Sequence, residues 1–406
     1  MLKTLLVFEA GFKSDREYWL LDFKMAGYKL VLVQPWPVDW ESTYVDHYMQ
    51  CKLHPWTNET KIHVVNFARK HSVSGIVCLN EGTVPFANEI ANLLNLPSFS
   101  KESIIALRNK TIMRQKLSFT SIKQPSFQII PANDKSVDFC VPYPAVVKPA
   151  EFMSSLGVKL VKNDDEASSA ILEAREVDFE GENLRAHYGF NADVLLESYV
   201  HGDEYSFETF IQHGEIVDFF ITKKFKCEEP YFDEIGHLTS PDISDELHLE
   251  IYKFIHTLHK ELQIENAVTH TEAKILHKEI TLIEIACRPG GDFIPKIHEY
   301  SANFNFPRAA AEIYTGTKVS QVALPRELRQ KIAIFFPYDT KKYKITKDKV
   351  LAAVKNSSIL EFVFDENKES LINPGLYTLR RGRIIFYASD NTPKVLNELA
   401  ALAMGL

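Results

Sequence analysis

At 406 residues, 45% of them hydrophobic and 25% charged, the chain is long enough for roughly two or three domains, and its net charge of −8 disfavours nucleic acid or an anionic membrane as main partner. No apolar run reaches the ~18 residues of a membrane span, and the N-terminal MLKTLLVFEAGFKSDREYW turns charged too soon for a signal peptide. Five dispersed cysteines (Cys51, Cys78, Cys140, Cys227, Cys287) include no CxxC pair, which argues against zinc or disulfide frameworks and for a reducing cytoplasm.

Thr4–Phe8 reads as a buried strand, Asp15–Ala26 as a helix and Lys29–Gln34 as a second strand. A helix over Lys61–His71, a strand over Gly75–Leu79 and a helix over Thr83–Leu94 continue the rhythm, which predicts an open parallel sheet. Glu9-Ala10-Gly11 closes the first strand without GxGxxG, so dinucleotide binding is not indicated. Asn80-Glu81-Gly82 stands where such sheets bind ligands, although a plain turn explains it as well. Lys101–Leu117 predicts one charged amphipathic helix. Short strands follow at Phe127–Ile130, Ala145–Lys148 and Val158–Val161, then a helix at Asp164–Glu173 and strands at Asp193–Tyr199 and Tyr205–Ile211. A long helix over Leu247–Leu262 precedes a strand pair, and a helix over Phe306–Tyr314 ends at Gly316. Strands Lys331–Phe336 and Arg383–Tyr387, with a helix at Thr392–Ala403, predict a small C-terminal α/β domain.

The strand pair carries the densest chemistry. In VTHTEAKILHKEITLIEIACRPGGDFIP, Glu272 and Glu284 lie on two strands joined by Leu276-His277-Lys278-Glu279. A hairpin centred on Lys278 without a bulge sets these carboxylates opposite each other, about 5 Å apart. Such a pair repels unless a proton or cation lies between them, and hard oxygen donors suit Mg²⁺ shared with phosphates. Arg288, Gly290 and Gly291 follow at once, an anion site with approachable backbone. A solvent-exposed hairpin is the competing explanation, but LIEIAC is too apolar for a surface.

Two further segments offer ligand groups. In PAVVKPAEFMSSLGVKLVK, a strand delivers Lys148 to a loop with Ser154, Ser155 and Gly157, which suits phosphate oxygens; it is not a Walker A loop, since a strand follows where a helix should. In LLESYVHGDEYSFETF, a strand ends at Glu197 and another opens at Glu204. The intervening hinge can offer backbone to an adenine edge, and a carboxylate can bind ribose hydroxyls. A hairpin with two exposed acids is the plainer alternative.

In this order the segments resemble the ATP-grasp superfamily, from the N-terminus to about Gly316. Gly75–Pro97 looks like its pre-ATP-grasp domain. The resemblance makes Lys110, beside Asn109 and followed by Met113, Arg114 and Leu117, the first nucleotide lysine, and Lys148 the second. It makes Glu197, Ser198, Tyr199 and Val200 the adenine hinge, Glu204 the ribose carboxylate, Glu272 and Glu284 the metal ligands, and Arg288 the arginine that steadies the acyl phosphate. One departure stands out: Glu284-Ile285-Ala286 lacks the Asn of the common E-x-N, so metal coordination from that side is reduced. E-I-A-x-R-P-G-G-D resembles the carboxylate–amine ligases that include bacterial L-amino-acid ligases. Glu234-Ile235-Gly236-His237-Leu238-Thr239 matches their E-x-x-H-x-T. By that likeness Glu234 holds a substrate ammonium and His237 faces the phosphoryl or carboxylate region. Lys223, in ITKK, is a candidate for the transferred phosphate, with a solvated strand end as the equal alternative for Lys223 and Lys224.

The resemblance implies an α/β protein with the ATP-grasp fold: an open parallel-sheet pre-ATP-grasp domain over 1–108, an ATP-grasp domain over 109–320 with its lid at about 119–193, and a small α/β domain over 321–406. It implies an ATP-dependent ligase that joins a small-molecule carboxylate and amine, two L-amino acids in the sharper form, with ATP and Mg²⁺ (Mn²⁺ substituting). A homodimer is the candidate assembly. The alternatives are a ligase or carboxylase acting on a non-amino-acid carboxylate, and a nucleotide-binding regulator; the intact Lys110, Lys148, Glu272, Glu284 and Arg288 set argues against the last.

Overall fold

The computed structural model describes residues 2–134, 138–153, 155–177, 184–226, 232, 234–339, 344–355, 357–366, 380–389 and 391–404. The N-terminal part forms a parallel sheet of order β3-β2-β1-β4, with β1 at Thr4–Phe8, β2 at Lys29–Gln34, β3 at His47–Gln50 and β4 at Val73–Cys78. Every residue of β1 is buried, as a strand covered on both faces requires. Leu5 and Val7 face the helices Lys13–Met25 and Phe306–Tyr314; Leu6 and Phe8 face Asn58–Lys70 and Val84–Leu93.

A second, antiparallel sheet has the order β5-β8-β6-β7, with β5 at Phe127–Ile130, β6 at Ala145–Pro149, β7 at Lys159–Val161 and β8 at Val194–Ser198. Helix Asp164–Arg175 closes it through Ala167, Ala170 and Ile171. The third sheet is antiparallel throughout: β9 (Asp203–Gln212), β10 (Glu215–Lys226), β11 (Glu234–Thr239), β12 (Ala267–Leu276), β13 (Glu279–Ala286), β14 (Ile332–Phe335), β15 (Ile359–Phe364) and β16 (Gly382–Tyr387). Its order is β13-β12-β9-β10-β11-β14-β16-β15. Among the described residues no helix is long and apolar enough to cross a membrane.

Two expectations need correction. The helix over Lys101–Leu117 is two helices, Lys101–Arg108 and Lys110–Leu117. Asn109 leaves helical geometry (φ −111°, ψ 112°), and its side chain accepts from the amides of Thr111 and Ile112, which caps the second helix. Secondly, the described strands after residue 321 belong to the third sheet. β14 pairs with β11, and β16 and β15 follow, so that segment continues the central sheet and covers the edge β11 would otherwise expose.

Glu9 sits at the end of β1 in a left-handed conformation (φ 49°) and is almost wholly buried. Burial pushes its carboxyl up to about 7, against the opposing hydrogen bond from Thr83 Oγ1. A carboxyl protonated more readily folded than unfolded contributes stability that is complete below its ordinary 4.5 and is lost as pH rises through about 7. Glu9→Gln cannot ionise, so it should gain on the parent by up to about 3 kcal/mol across that interval. Urea unfolding over the pH range checks this; parallel stability curves for parent and variant would show that Glu9 ionises normally in the fold.

Candidate active site

Two β-bulges build the site. The turn between β12 and β13 is His277-Lys278, both left-handed (φ 50° and 70°), as a two-residue type I′ hairpin demands. Pairing runs Leu276↔Glu279 to Ala273↔Leu282; continued regularly it would set Glu272 against Ile283. The register shifts there, Ile283 becomes the extra residue, and Glu284 arrives opposite Glu272. The expected pairing is present, but a bulge makes it. Arg114 Nη2 donates to the bulged Ile283 carbonyl at 2.7 Å. A second shift pairs Lys224 with His237, Phe225 with Gly236 and Lys226 with Glu234, leaving Ile235 over. Three residues apart, Glu234 and His237 would face opposite sides of a regular strand; the bulge turns both toward Lys224.

The Lys224 side chain is 1% exposed and meets the carboxylates of Glu234 and Glu272, with Glu204 3.8 Å away. Burial works against its charge, yet Glu234, Glu272 and Glu204 hold its pKa well above the usual lysine range. Glu272 also lies 3.1 Å from His270 Nε2, and His270 Nδ1 meets Glu208. Against burial, Glu208 and Glu272 push the imidazole up to about 10. Glu208 accepts from the Gly290 amide at 2.8 Å. A Cβ on Gly290 would stand 2.9 Å from Glu208 Oε1 and from His270 Nδ1, which explains a glycine there. On the other side Glu234 Oε2 is 3.3 Å from His237 Nε2, itself 3.6 Å from Asp292. Arg380 grips Asp292 with two bonds, 2.5 and 2.7 Å, and holds it well below the carboxylate range despite burial.

The opposite wall is cationic. Lys148 Nζ and Arg114 Nε each lie 2.6 Å from Glu197, one on each oxygen. Burial opposes the charge of Glu197, but Arg114 and Lys148 hold it down at about 2. Both oxygens are therefore engaged within the protein, and Glu197 aims Lys148 instead of offering a carboxylate. In the hinge, Lys274 Nζ donates to Val200 O at 2.8 Å and lies 4.3 Å over the Tyr199 ring. The helix break at Asn109 points Lys110 inward, to Phe152 O at 2.8 Å and Glu284 Oε1 at 3.0 Å. Arg288 binds Glu81, which links the end of β4 to the end of β13. Burial opposes the charge of Glu81; Arg288, Arg108 and Lys110 more than offset it, leaving the carboxyl below its usual range.

One cleft collects Lys110, Lys148, Ser155, Glu197, Ser198, Tyr199, Val200, Glu204, Glu234, Glu272, Glu284, Arg288 and Gly291. Gly157, His237 and Gly290 stand behind its wall, and Ser154 lies outside the described residues. Lys223 is a correction. Its side chain faces away, pairing with Asp203 at 2.7 Å, while its neighbour Lys224 enters the cleft. Phe219, Phe220 and Ile221 are apolar in succession just before that point, so alternation gave no clear parity to read. Sequence reasoning also passed over Glu208, Asp292 and Arg380. The alternation Glu204, Ser206, Glu208 in DEYSFETF was the available signal for the first.

A family model described as an ATP-grasp domain matches residues 141–296. Alanine–anticapsin ligases of Bacillus subtilis and Bacillus amyloliquefaciens are each 28% identical over 168 residues, 38% of this chain and 35% of theirs. The match thus spans about a third of the length of those curated relatives. Among solved structures, the L-amino acid ligase from Bacillus licheniformis superposes with a TM-score of 0.77 at 20% identity, covering 98% of this chain and 96% of that one. N5-Carboxyaminoimidazole synthetase from Staphylococcus aureus complexed with ADP gives 0.69 at 12% identity, covering 98% and 97%. At these identities the likeness shows the shared mixed α/β fold, and the ATP-grasp description rests on the family model over residues 141–296.

Lys224→Met should cost at least about 3 kcal/mol, because three carboxylates lose their common cation. Added Mg²⁺ should recover more stability in the variant than in the parent. Thermal unfolding with and without the ion decides; an unchanged melting temperature would mean that Lys224 does not balance these acids.

Proposed function

We propose that the protein, whose residues 141–296 match a family model described as an ATP-grasp domain, is an ATP-dependent carboxylate–amine ligase that joins two L-amino acids through an acyl phosphate. The observation that carries this reading is the convergence of Lys110, Lys148, Glu272, Glu284 and Arg288 on one cleft between the second and third sheets. Nucleotide phosphates take Lys110, Lys148 and the loop with Ser154, Ser155 and Gly157; the base takes the Ser198–Val200 backbone, and Glu204 takes the ribose. Residues 119–193 act as the lid.

The donor set fits a hard divalent cation. Glu272 and Glu284 are cross-strand neighbours on the cleft wall, and both offer hard carboxylate oxygens to it. Ala286 adds no ligand atom. Mg²⁺, or Mn²⁺ in its place, supplies positive charge against the phosphates when bound.

A carboxylate is a poor electrophile until it is phosphorylated. Its oxygen attacks the γ-phosphorus of ATP, the bond to ADP breaks, and the lysines and Arg288 balance the charge on the transferring group. The amine of the second amino acid then attacks the acyl carbon, and phosphate leaves with the bonding pair. Glu234, with His237 behind it, reads the ammonium of the first amino acid, which competes with Lys224 for that carboxylate. Water hydrolyses an acyl phosphate, so closure matters. Tyr188, from the lid, bonds Asn80 at 3.0 Å and fills the space beside Gly82, where a Cβ would stand 2.4 Å from its ring. That contact supports a lid that closes against the N-terminal sheet.

Assays over pairs of amino acids should yield ADP and phosphate. Des-amino analogues of the first substrate should lose at least ~2 kcal/mol of apparent transition-state binding, and Glu234→Ala should narrow the gap. AMP among the products would remove acyl-phosphate chemistry; des-amino acids activated as well as the parent would favour a ligase or carboxylase for other carboxylates.

Lys148→Ala should weaken ATP far more than adenosine, since its charge acts on phosphates. Equal losses in titration calorimetry would place the lysine elsewhere.

A further inference from the structure

Glu208 and His270 take no part in the reaction just described, yet they are among the most constrained polar groups in the molecule. β9 and β12 set His270 opposite Glu208 and Glu272 opposite Ser206. Glu208 is fully buried, so its carboxylate must be satisfied within the protein. Among the described residues it meets His270 Nδ1 and accepts from the amide of Gly290. The other ring nitrogen, Nε2, stands 3.1 Å from Glu272 Oε1. Both neighbours of the ring are carboxylates, and neither nitrogen is left to serve a substrate.

We infer that Glu208 and His270 are positioning residues for the metal ligand Glu272. They fix its oxygen and lock it to the glycine turn that follows Arg288, so the metal ligand and the phosphate-binding arginine are set as one unit. The inference rests on Glu272 being a metal ligand, as proposed above. Two features favour this over a purely structural ion pair. The chain of bonds ends on a side chain that lines the cleft, whereas Glu208 itself does not reach it. Its other end is the Gly290 backbone, held so closely that a single Cβ would collide with both members of the pair. Partners behind a metal ligand characteristically control affinity in this way, with losses on the order of 10–100-fold when they are removed.

The test uses Mn²⁺ as probe, with its binding to the full chain in the presence of ADP followed by electron paramagnetic resonance. Melting temperature and metal-free ADP affinity are measured alongside. His270→Asn keeps a donor near the Nδ1 position for Glu208 and loses the bond to Glu272; His270→Gln keeps a donor near the Nε2 position. Mn²⁺ should bind about 10–100-fold more weakly to His270→Asn and Glu208→Gln, with partial rescue in His270→Gln and ADP affinity unchanged. Gly290→Ala, which displaces the pair without altering its chemistry, should also weaken Mn²⁺. Should the variants lose melting temperature but bind Mn²⁺ as the parent does, the pair is structural and the inference falls alone. A parent protein that binds no Mn²⁺ with ADP overturns the metal reading of Glu272 and this inference together.

Discussion

One ammonium group holds the cleft together. Lys224 Nζ stands among carboxylates from β9, β11 and β12 and offsets their mutual repulsion, with Lys226 on Glu204 and His270 on Glu272 adding to it. From that centre contacts run outward in two directions. Glu272 leads through His270 to Glu208, and Glu234 leads through His237 to Asp292 and Arg380. The row crosses the central sheet and ends on a residue from the C-terminal segment. Glu81 and Arg288 make the corresponding tie to the N-terminal sheet. Burial makes each of these pairs demanding, since every member left alone carries a full desolvation penalty. The gain is a set of ligand groups whose positions are fixed from several strands at once.

The two bulges are what bring these charges to one face. A regular β12–β13 hairpin would oppose Glu272 and Ile283, and a regular β11 would send Glu234 and His237 to opposite sides. Each bulge costs ladder hydrogen bonds, and at the first the freed Ile283 carbonyl is taken by Arg114. That arginine, wholly buried, also holds Glu197 and through it Lys148. A residue far in sequence from the expected metal ligands thus sets both the bulge beneath them and the lysine across from them.

Much of the fold was legible because its signals are local. The apolar runs at Lys29–Gln34 and Phe306–Tyr314 coincide with the observed elements, and Glu272 and Glu284 were recognisable as acids in strands too apolar for a surface. The break at Asn109 was missed because amphipathic periodicity runs through it, although Asn is a favoured helix cap. Lys223 was preferred where Lys224 enters the cleft, because the successive apolar residues Phe219, Phe220 and Ile221 blur the alternation of β10. The bulges have no sequence signature of their own, and the sheet that β14–β16 join depends on pairing across long stretches of chain. Asp292 and Arg380 could not be matched for the same reason: they are 88 residues apart and meet only in the finished structure.

Helix Phe306–Tyr314 belongs by sequence to the far side of the cleft, yet it covers one face of the N-terminal sheet beside Leu5 and Val7. Lys3 already reaches Thr315 O at 2.9 Å, and Gly75 packs against Tyr314 and Thr315. During translation the first strands therefore emerge about three hundred residues before the helix that shields them. At ordinary elongation speeds that interval is roughly 15–60 s, long enough for an apolar sheet face to find other nascent chains. Helix Lys13–Met25 covers part of that face from the start, and the cover is completed only once residues 306–314 have left the ribosome.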